Sequence, residues 1–310
     1  MKQRFIFVLL IACVTIAGCS NSSLIENKPI STAPDAELDS LFESSLPGPS
    51  LPPQKKSGEV FCLDYTGRGL LRICYKGEEG AKLKLVIYPP GGTSNGNGYL
   101  AYNLKGDGGI EDFSLQYGSG EYTANIMQHA EGESYYTLET KTFSVDIEDG
   151  NSVYLNSIQN VNWNYDMTPI HDVRFIVADS LRNSKDNLLY SSSLDIYRFI
   201  INNITYDSGK IYNLEYDYVP DIEQIYSDET GICYDYASLL ASMLRSINVP
   251  AKLVKGYAGY SPDEYHAWNE VYINGEWITV DPTRDATLLA SGSVPDIQKD
   301  GDDYRKLYEY

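Results

Sequence analysis

Basic residues are scarce in this chain. Its 24 lysines and arginines stand against 43 aspartates and glutamates, for a formal net charge of −19. Such a chain cannot hold nucleic acid by neutralising phosphates, so no nucleic-acid partner is expected. It is also repelled by anionic lipid, and any membrane attachment must rest on something other than a basic face. Histidine is scarcer still: only His129, His171 and His266 occur. No histidine–cysteine cluster has zinc spacing. The acidic run Asp296, Asp300, Asp302 and Asp303 lacks the glycine and glutamate placement of a calcium loop, and reads as a solvated tail. Neither a metal nor another cofactor is expected. The chain has no apolar run long enough to span a bilayer, no internal repeat and no heptad pattern.

The apolar run that is present stands at the N-terminus. Lys2 and Arg4 precede Phe5 to Ala17, which is apolar except for Thr15 and suits the core of a signal peptide. Ile16-Ala17-Gly18-Cys19 then resembles the lipobox of bacterial lipoproteins, which implies a leader over 1–18 and a lipid on Cys19. The alternative is an ordinary secretory signal with an incidental cysteine. The expected location is the extracytoplasmic face of a cell membrane, with contact through the N-terminal lipid. Residues 19–57 are rich in Ser, Pro, Asn and acidic side chains and read as a disordered tether.

From 58 to 150 the pattern changes to short alternating runs such as Val60-Phe-Cys-Leu-Asp-Tyr65 and Leu83-Lys-Leu-Val-Ile-Tyr88, separated by glycine-rich turns. That spacing predicts a small β-sandwich. His129 falls in one of its strands and His171 lies beyond it; both read as surface residues. The stretch 151–180 is a connecting segment that the pattern assigns to neither neighbour. A second unit runs from 181 to 295, and 296–310 is the acidic tail. The 27 tyrosines either line a groove for peptide or glycan or serve as amphipathic filler.

Five cysteines divide by position. Cys13 leaves with the leader and Cys19 is the lipid site. Cys62 and Cys74 flank Gly67-Arg68-Gly69. If that turn is a three-residue hairpin loop, the two face each other and could form a disulfide; otherwise they stay reduced as packing residues. Cys233 is left as an unpaired thiol in an exported protein, which flags reactivity.

Gly231 to Thr283 carries the chemistry. Cys233, Ala237, Leu240, Ala241, Leu244 and Ile247 recur at helical spacing, with Thr230 as the expected N-cap and Pro250 beyond the end. Cys233 then lies in the first turn, where the helix dipole favours a thiolate. A lone cysteine on an apolar stripe is more often inert packing. What reverses that is a histidine and an aspartate on a hairpin downstream. Asn274-Gly275 is a strong signal for a two-residue turn. If Ile273 faces Glu276, then Trp268 falls opposite Asp281, and His266 and Asp281 become diagonal neighbours on one sheet face. A diagonal of roughly 7–8 Å between backbones is within reach of an imidazole and a carboxylate.

Gly231-Ile-Cys-Tyr-Asp-Tyr-Ala237, the Leu244-Arg-Ser-Ile-Asn-Val-Pro-Ala-Lys-Leu-Val-Lys-Gly-Tyr257 that follows, His266-Ala-Trp-Asn-Glu-Val271 and Trp277-Ile-Thr-Val-Asp-Pro-Thr283 together resemble the core of the transglutaminase-like superfamily, within the papain-like group of folds. Upstream, Ile196 to Asp207 resembles the helix and turn that precede the cysteine in similar bacterial domains. Asn248 stands where the family often has glycine, and asparagine tolerates the same left-handed backbone. The resemblance implies an α+β fold, with the sandwich followed by a domain whose cysteine-bearing helix packs on an antiparallel sheet. It also implies roles: Cys233 as nucleophile, His266 as base and later acid, Asp281 as the carboxylate that orients it. The expected activity is cleavage or exchange of amide bonds through a thioester on Cys233, as a peptidase, amidase or protein-glutamine transamidase. Its substrate would be a peptide, a protein or cell-wall peptide. Gln224 and Tyr226 are upstream candidates for a second oxyanion donor. The alternative is a non-catalytic surface lipoprotein that binds peptide or wall polymer.

Overall fold

The computed structural model describes residues 36–310 apart from 47, 55–57, 93–97 and 216. The expected leader, Cys19 and the first part of the tether lie outside the described residues. The rest of the tether departs from expectation. Helix α1 (Ala36–Ser45) packs onto the helices that follow the sandwich, with Leu38 and the adjoining Leu46 buried. Leu38, Leu41, Phe42 and Leu46 recur at helical spacing and give this acidic stretch an apolar face.

Seven strands fill 58–150: β1 (Phe61–Cys62), β2 (Leu70–Ile73), β3 (Leu83–Tyr88), β4 (Leu100–Leu104), β5 (Glu111–Ser114), β6 (Gly120–His129) and β7 (Tyr135–Val145). They make two antiparallel sheets, β1-β2-β5 and β4-β3-β6-β7. Along β6, Tyr122, Ala124 and Ile126 are fully buried while Thr123 and Asn125 are not, which is the alternation of a one-sided sheet. Tyr102 of β4 meets Phe113 of β5 across the core, with ring centroids 4.8 Å apart.

The expected disulfide is absent, because the first hairpin is not a three-residue one. Its connection runs from Leu63 to Gly69 through a 3₁₀ turn (Thr66–Arg68) that Gly69 closes at φ 72°. The register then sets Cys62 opposite Arg72, and Cys74 donates its N–H to Val60. A two-residue offset leaves the cysteines diagonal, where bridging geometry is poor. Both are free thiols.

After the sandwich come α2 (Thr168–Ile176), α3 (Ala178–Asn183), α4 (Leu188–Asn203), β8 (Thr205–Tyr206), α5 (Ile222–Asp228), β9 (Thr230–Gly231) and α6 (Cys233–Ser246). Then follow β10 (Ala251–Ala258), β11 (Ser261–Ile273), β12 (Glu276–Val280), α7 (Pro282–Ala290), β13 (Gln298–Lys299) and β14 (Tyr304–Glu309). The main sheet has the order β13-β12-β11-β10-β14. Residues 296–310 are therefore not a solvated tail. Lys255 to Ala258 of β10 pair with β14, and the C-terminal Tyr310 is buried. The acidic residues there make a turn, in which Asp300 accepts the N–H of Asp302.

Helix α6 forms the centre of this unit. Its apolar stripe is buried as expected, each fully buried leucine contributing about 1.5–3 kcal/mol. The polar side is buried as well. Ser238 and Ser242 donate to the carbonyls of Asn160 and Asn162, so the connecting segment lies along the helix and joins it to the sandwich. Asn248 ends the helical connection with φ 65°, the left-handed conformation expected of it.

Candidate active site

The β11–β12 turn fixes half of the site. Asn274 and Gly275 both take positive φ, at 53° and 91°, and Ile273 faces Glu276. The pairing continues to Asn269 opposite Val280, where β12 stops. Asp281 is the N-cap of α7, followed by Pro282 at the first helical position. Its two oxygens are thereby divided. Oδ1 accepts the Arg284 N–H at 3.0 Å and caps the helix. Oδ2 is 2.9 Å from His266 Nε2 and accepts the Tyr260 and Tyr304 hydroxyls at 2.9 and 3.0 Å.

Asp281 is fully buried. Burial works against its charge, but the His266 contact, the Arg284 N–H and Tyr260 outweigh it and hold the carboxyl below its ordinary range. His266 responds in the opposite sense. Burial disfavours its cation, yet hydrogen bonds and charge from Asp281 and Cys233 raise it to about 10. The imidazole stacks on Trp268 with an interplanar angle of 20°. Opposite His266 on β10 is Gly256, where a Cβ would collide with the Arg305 carbonyl and the Trp268 indole. Only glycine lets β14 and Trp268 close behind the histidine.

Cys233 is half-buried at the first position of α6, near enough to His266 to affect the protonation of that ring. Since Nε2 faces Asp281, Nδ1 is the ring nitrogen left for sulfur. Thr230 is not the N-cap: it pairs with Thr205 in the β8–β9 ladder, and Ile232 takes the position. Ile232 has no side-chain acceptor. The helix start is fixed by Asp235, whose Oδ2 takes the Ile232 N–H at 2.9 Å and Lys210 Nζ at 2.6 Å. Its Oδ1 accepts the Tyr218 hydroxyl at 2.5 Å. The same ladder sets Tyr206 beside Gly231, where burial pushes its hydroxyl up to about 12.

His266 and Asp281 are thus in contact, with Cys233 near the same ring. Gln224 and Tyr226 are not part of the cluster: they bond to Asp228 and Asp172. His129 and His171 are away from it, bonded to Gly132 and Asp172. Sequence reasoning missed Tyr260, Tyr304 and Asp235. The alternation Tyr304, Lys306, Tyr308, Tyr310 was a strand signal inside the supposed tail; Tyr260 stands in a turn and carried none. A cavity of about 840 Å³ between the sandwich and the 210–223 segment, lined in part by Asn103, Gln159, Lys210 and Tyr218, does not include any of the three site residues.

Residues 176–282 match the family model of the transglutaminase-like superfamily, so this unit is a transglutaminase-like domain. Uncharacterized protein YebA of Bacillus subtilis is 28% identical over 103 residues, covering 28% of this chain and 14% of that protein. Among solved structures, a Cytophaga hutchinsonii protein provisionally described as a cysteine protease overlaps at a TM-score of 0.31 and 17% identity, covering 78% of this chain and 91% of its own. Legionella pneumophila LapG overlaps at 0.28 and 15%, covering 44% and 83%. Red sea bream transglutaminase overlaps at 0.28 and 12%, covering 69% and 48%.

Proposed function

We propose that this transglutaminase-like domain is a thiol enzyme that cleaves or exchanges amide bonds through a thioester on Cys233. The observation that carries the reading is the 2.9 Å contact of His266 Nε2 with Asp281, with Cys233 nearby at a helix start. The thiolate attacks the carbonyl carbon of an amide, and the backbone N–H of Cys233 contributes to holding the developing oxyanion. His266 Nδ1 gives its proton to the departing nitrogen, the C–N bond breaks, and a thioester remains. Water or a second amine then attacks the thioester, passing a proton to Nδ1 as the C–S bond breaks. Asp281 holds the ring's orientation and stabilises the imidazolium throughout.

Incubation of the protein with labelled peptides, with and without an added amine, tests this. The expected products are a hydrolysed peptide, an amine adduct or both, all absent with Cys233→Ala. Product formation by Cys233→Ala would overturn the reading. Peptide binding without any product would favour a non-catalytic surface protein. We also propose that Cys19 carries a lipid and tethers the domain to the outer side of a membrane. Normal-sized, membrane-bound Cys19→Ala protein would refute that.

A further inference from the structure

Among the side chains described around the His266–Asp281 pair, Tyr260 is the exposed one, at 44%. Asp281 and Trp268 are fully buried, and Tyr304 and Arg284 are partly so. Tyr260 stands beside Gly259 in the turn between β10 and β11. Gly259 fastens that turn by donating its N–H to the Asp303 carbonyl at 2.6 Å. From the turn the Tyr260 ring leans inward. Its hydroxyl donates to Asp281 Oδ2 at 2.9 Å and lies 3.0 Å from His266 Nε2. The ring meets those of His266 and Tyr304 edge-on, with centroids 5.8 and 6.4 Å apart. The Arg284 guanidinium lies over it, 3.9 Å from its centroid, and holds it there by cation–π attraction.

This arrangement does two things to the histidine. The single proton of the hydroxyl goes to the carboxylate, so the Tyr260 oxygen presents a lone pair to Nε2. Together with Oδ2 it makes two acceptors at that nitrogen. The hydrogen of the neutral ring therefore sits on Nε2, and Nδ1 is left to exchange protons with thiol and substrate. The aromatic ring, meanwhile, stands between the pair and bulk water. Attraction between an imidazolium and a carboxylate is several-fold stronger when water is kept away. The other groups near the imidazole that can carry charge are Cys233 on α6, Tyr304 on β14 and Arg284 on α7. Farther along the same sheet face, Lys306 is paired with Glu270.

We propose that Tyr260 is a positioning residue for the reaction: it excludes water from the His266–Asp281 pair and fixes the hydrogen of the neutral ring on Nε2, so that Nδ1 acts on the thiol and the substrate. The proposal rests on Cys233 and His266 being nucleophile and base.

The ring nitrogens of His266 report both effects by NMR. The chain has three histidines, so isotope-labelled protein gives a small set of imidazole signals, and the set missing in His266→Gln belongs to His266. In wild type the Nε2–H should persist in water near neutral pH, shielded from exchange, and the ring should titrate near its raised value of about 10. Burial opposes that rise, and the contact with Asp281 outweighs it. Water admitted by Tyr260→Ala weakens both. Because the attraction is the larger, the proton affinity of the ring should fall about tenfold or more, toward the ordinary 6.5. Tyr260→Phe keeps the cover and should move the titration less than half as far. Peptide kinetics on Tyr260→Ala should show kcat lowered about tenfold with KM little changed. A packing role alone would lower thermal stability and leave the titration where it was. An unmoved titration in Tyr260→Ala overturns the proposal and leaves the enzyme reading standing. Should that variant not fold, an Nε2–H lost to rapid exchange in wild type does the same. Absence of product from wild type overturns the enzyme reading, and with it the role in catalysis, even where the titration shifts.

Discussion

Tyr304 donates its hydroxyl to Asp281 Oδ2 across 3.0 Å, which ties the outermost strand β14 to the carboxylate beneath His266. Tyr304 also leans on Trp268, with ring centroids 5.1 Å apart, so one side chain supports both the carboxylate and the indole that stacks on the imidazole. The strand contributes to the site although it lies outside the family match.

Tyr304→Phe should therefore weaken catalysis without unfolding the domain. It keeps the ring against Trp268 and removes one of the three donors to Oδ2. A hydrogen bond to a charged group is worth about 1.5–3 kcal/mol. Steady-state kinetics on a cleaved peptide should show kcat lowered about tenfold with KM little changed. A selective rise in KM would place Tyr304 in substrate binding instead.

What the sequence revealed was local, and what it hid was long-range. The register around Asn274-Gly275 follows from turn chemistry and a period of two, so His266 and Asp281 could be brought together by counting. The helix bearing Cys233 was legible from its apolar stripe. Its full burial was not, because Ser238, Ser242 and Arg245 look like a solvated face until distant carbonyls are there to receive them. Cys62 and Cys74 were misjudged because a 3₁₀ turn is no louder in sequence than a tight loop. Residues 296–310 read as a tail because acidic residues near Asp300 obscured the alternating strand beyond them. Tyr260 reaches Asp281 from a turn, and no periodicity announces that.

The pH dependence of stability should carry the His266–Asp281 contact. His266 is raised from its ordinary 6.5 to about 10 on folding. A raised pKa means that the folded state holds the proton more tightly. The contact's contribution is thus full below about pH 6.5 and is lost as pH climbs through 10. The same contact, seen from Asp281, fails at the acid end as pH falls through the carboxyl's lowered value. Thermal unfolding of wild type and His266→Gln should show a stability difference that is largest between about pH 4 and 6.5 and shrinks on both sides. A difference constant from about pH 6 to 10 would contradict the assigned shift.

Arg245 is the strongest candidate for a structural weak point. It is fully buried, and burial lowers its pKa to about 9. Nε, Nη1 and Nη2 donate to the carbonyls of Ala251, Asn156 and Tyr310 at 2.9, 2.6 and 2.9 Å. One side chain thus joins α6, the connecting segment and the chain end. Arg245→Met should cost at least about 3 kcal/mol, since three buried carbonyls lose a donor together. Urea unfolding measures it; a loss under about 1 kcal/mol would show that other donors replace the guanidinium.

The most direct test of the central claim is the relative iodoacetamide labelling of Cys62, Cys74 and Cys233 in folded protein near neutral pH. Cys62 and Cys74 are free thiols in the sandwich and serve as internal standards. If Cys233 is a nucleophile paired with His266, it should label at least about tenfold faster than either, and His266→Gln should abolish that lead. Labelling of Cys233 no faster than Cys62 and Cys74, or a rate indifferent to His266, would contradict the account.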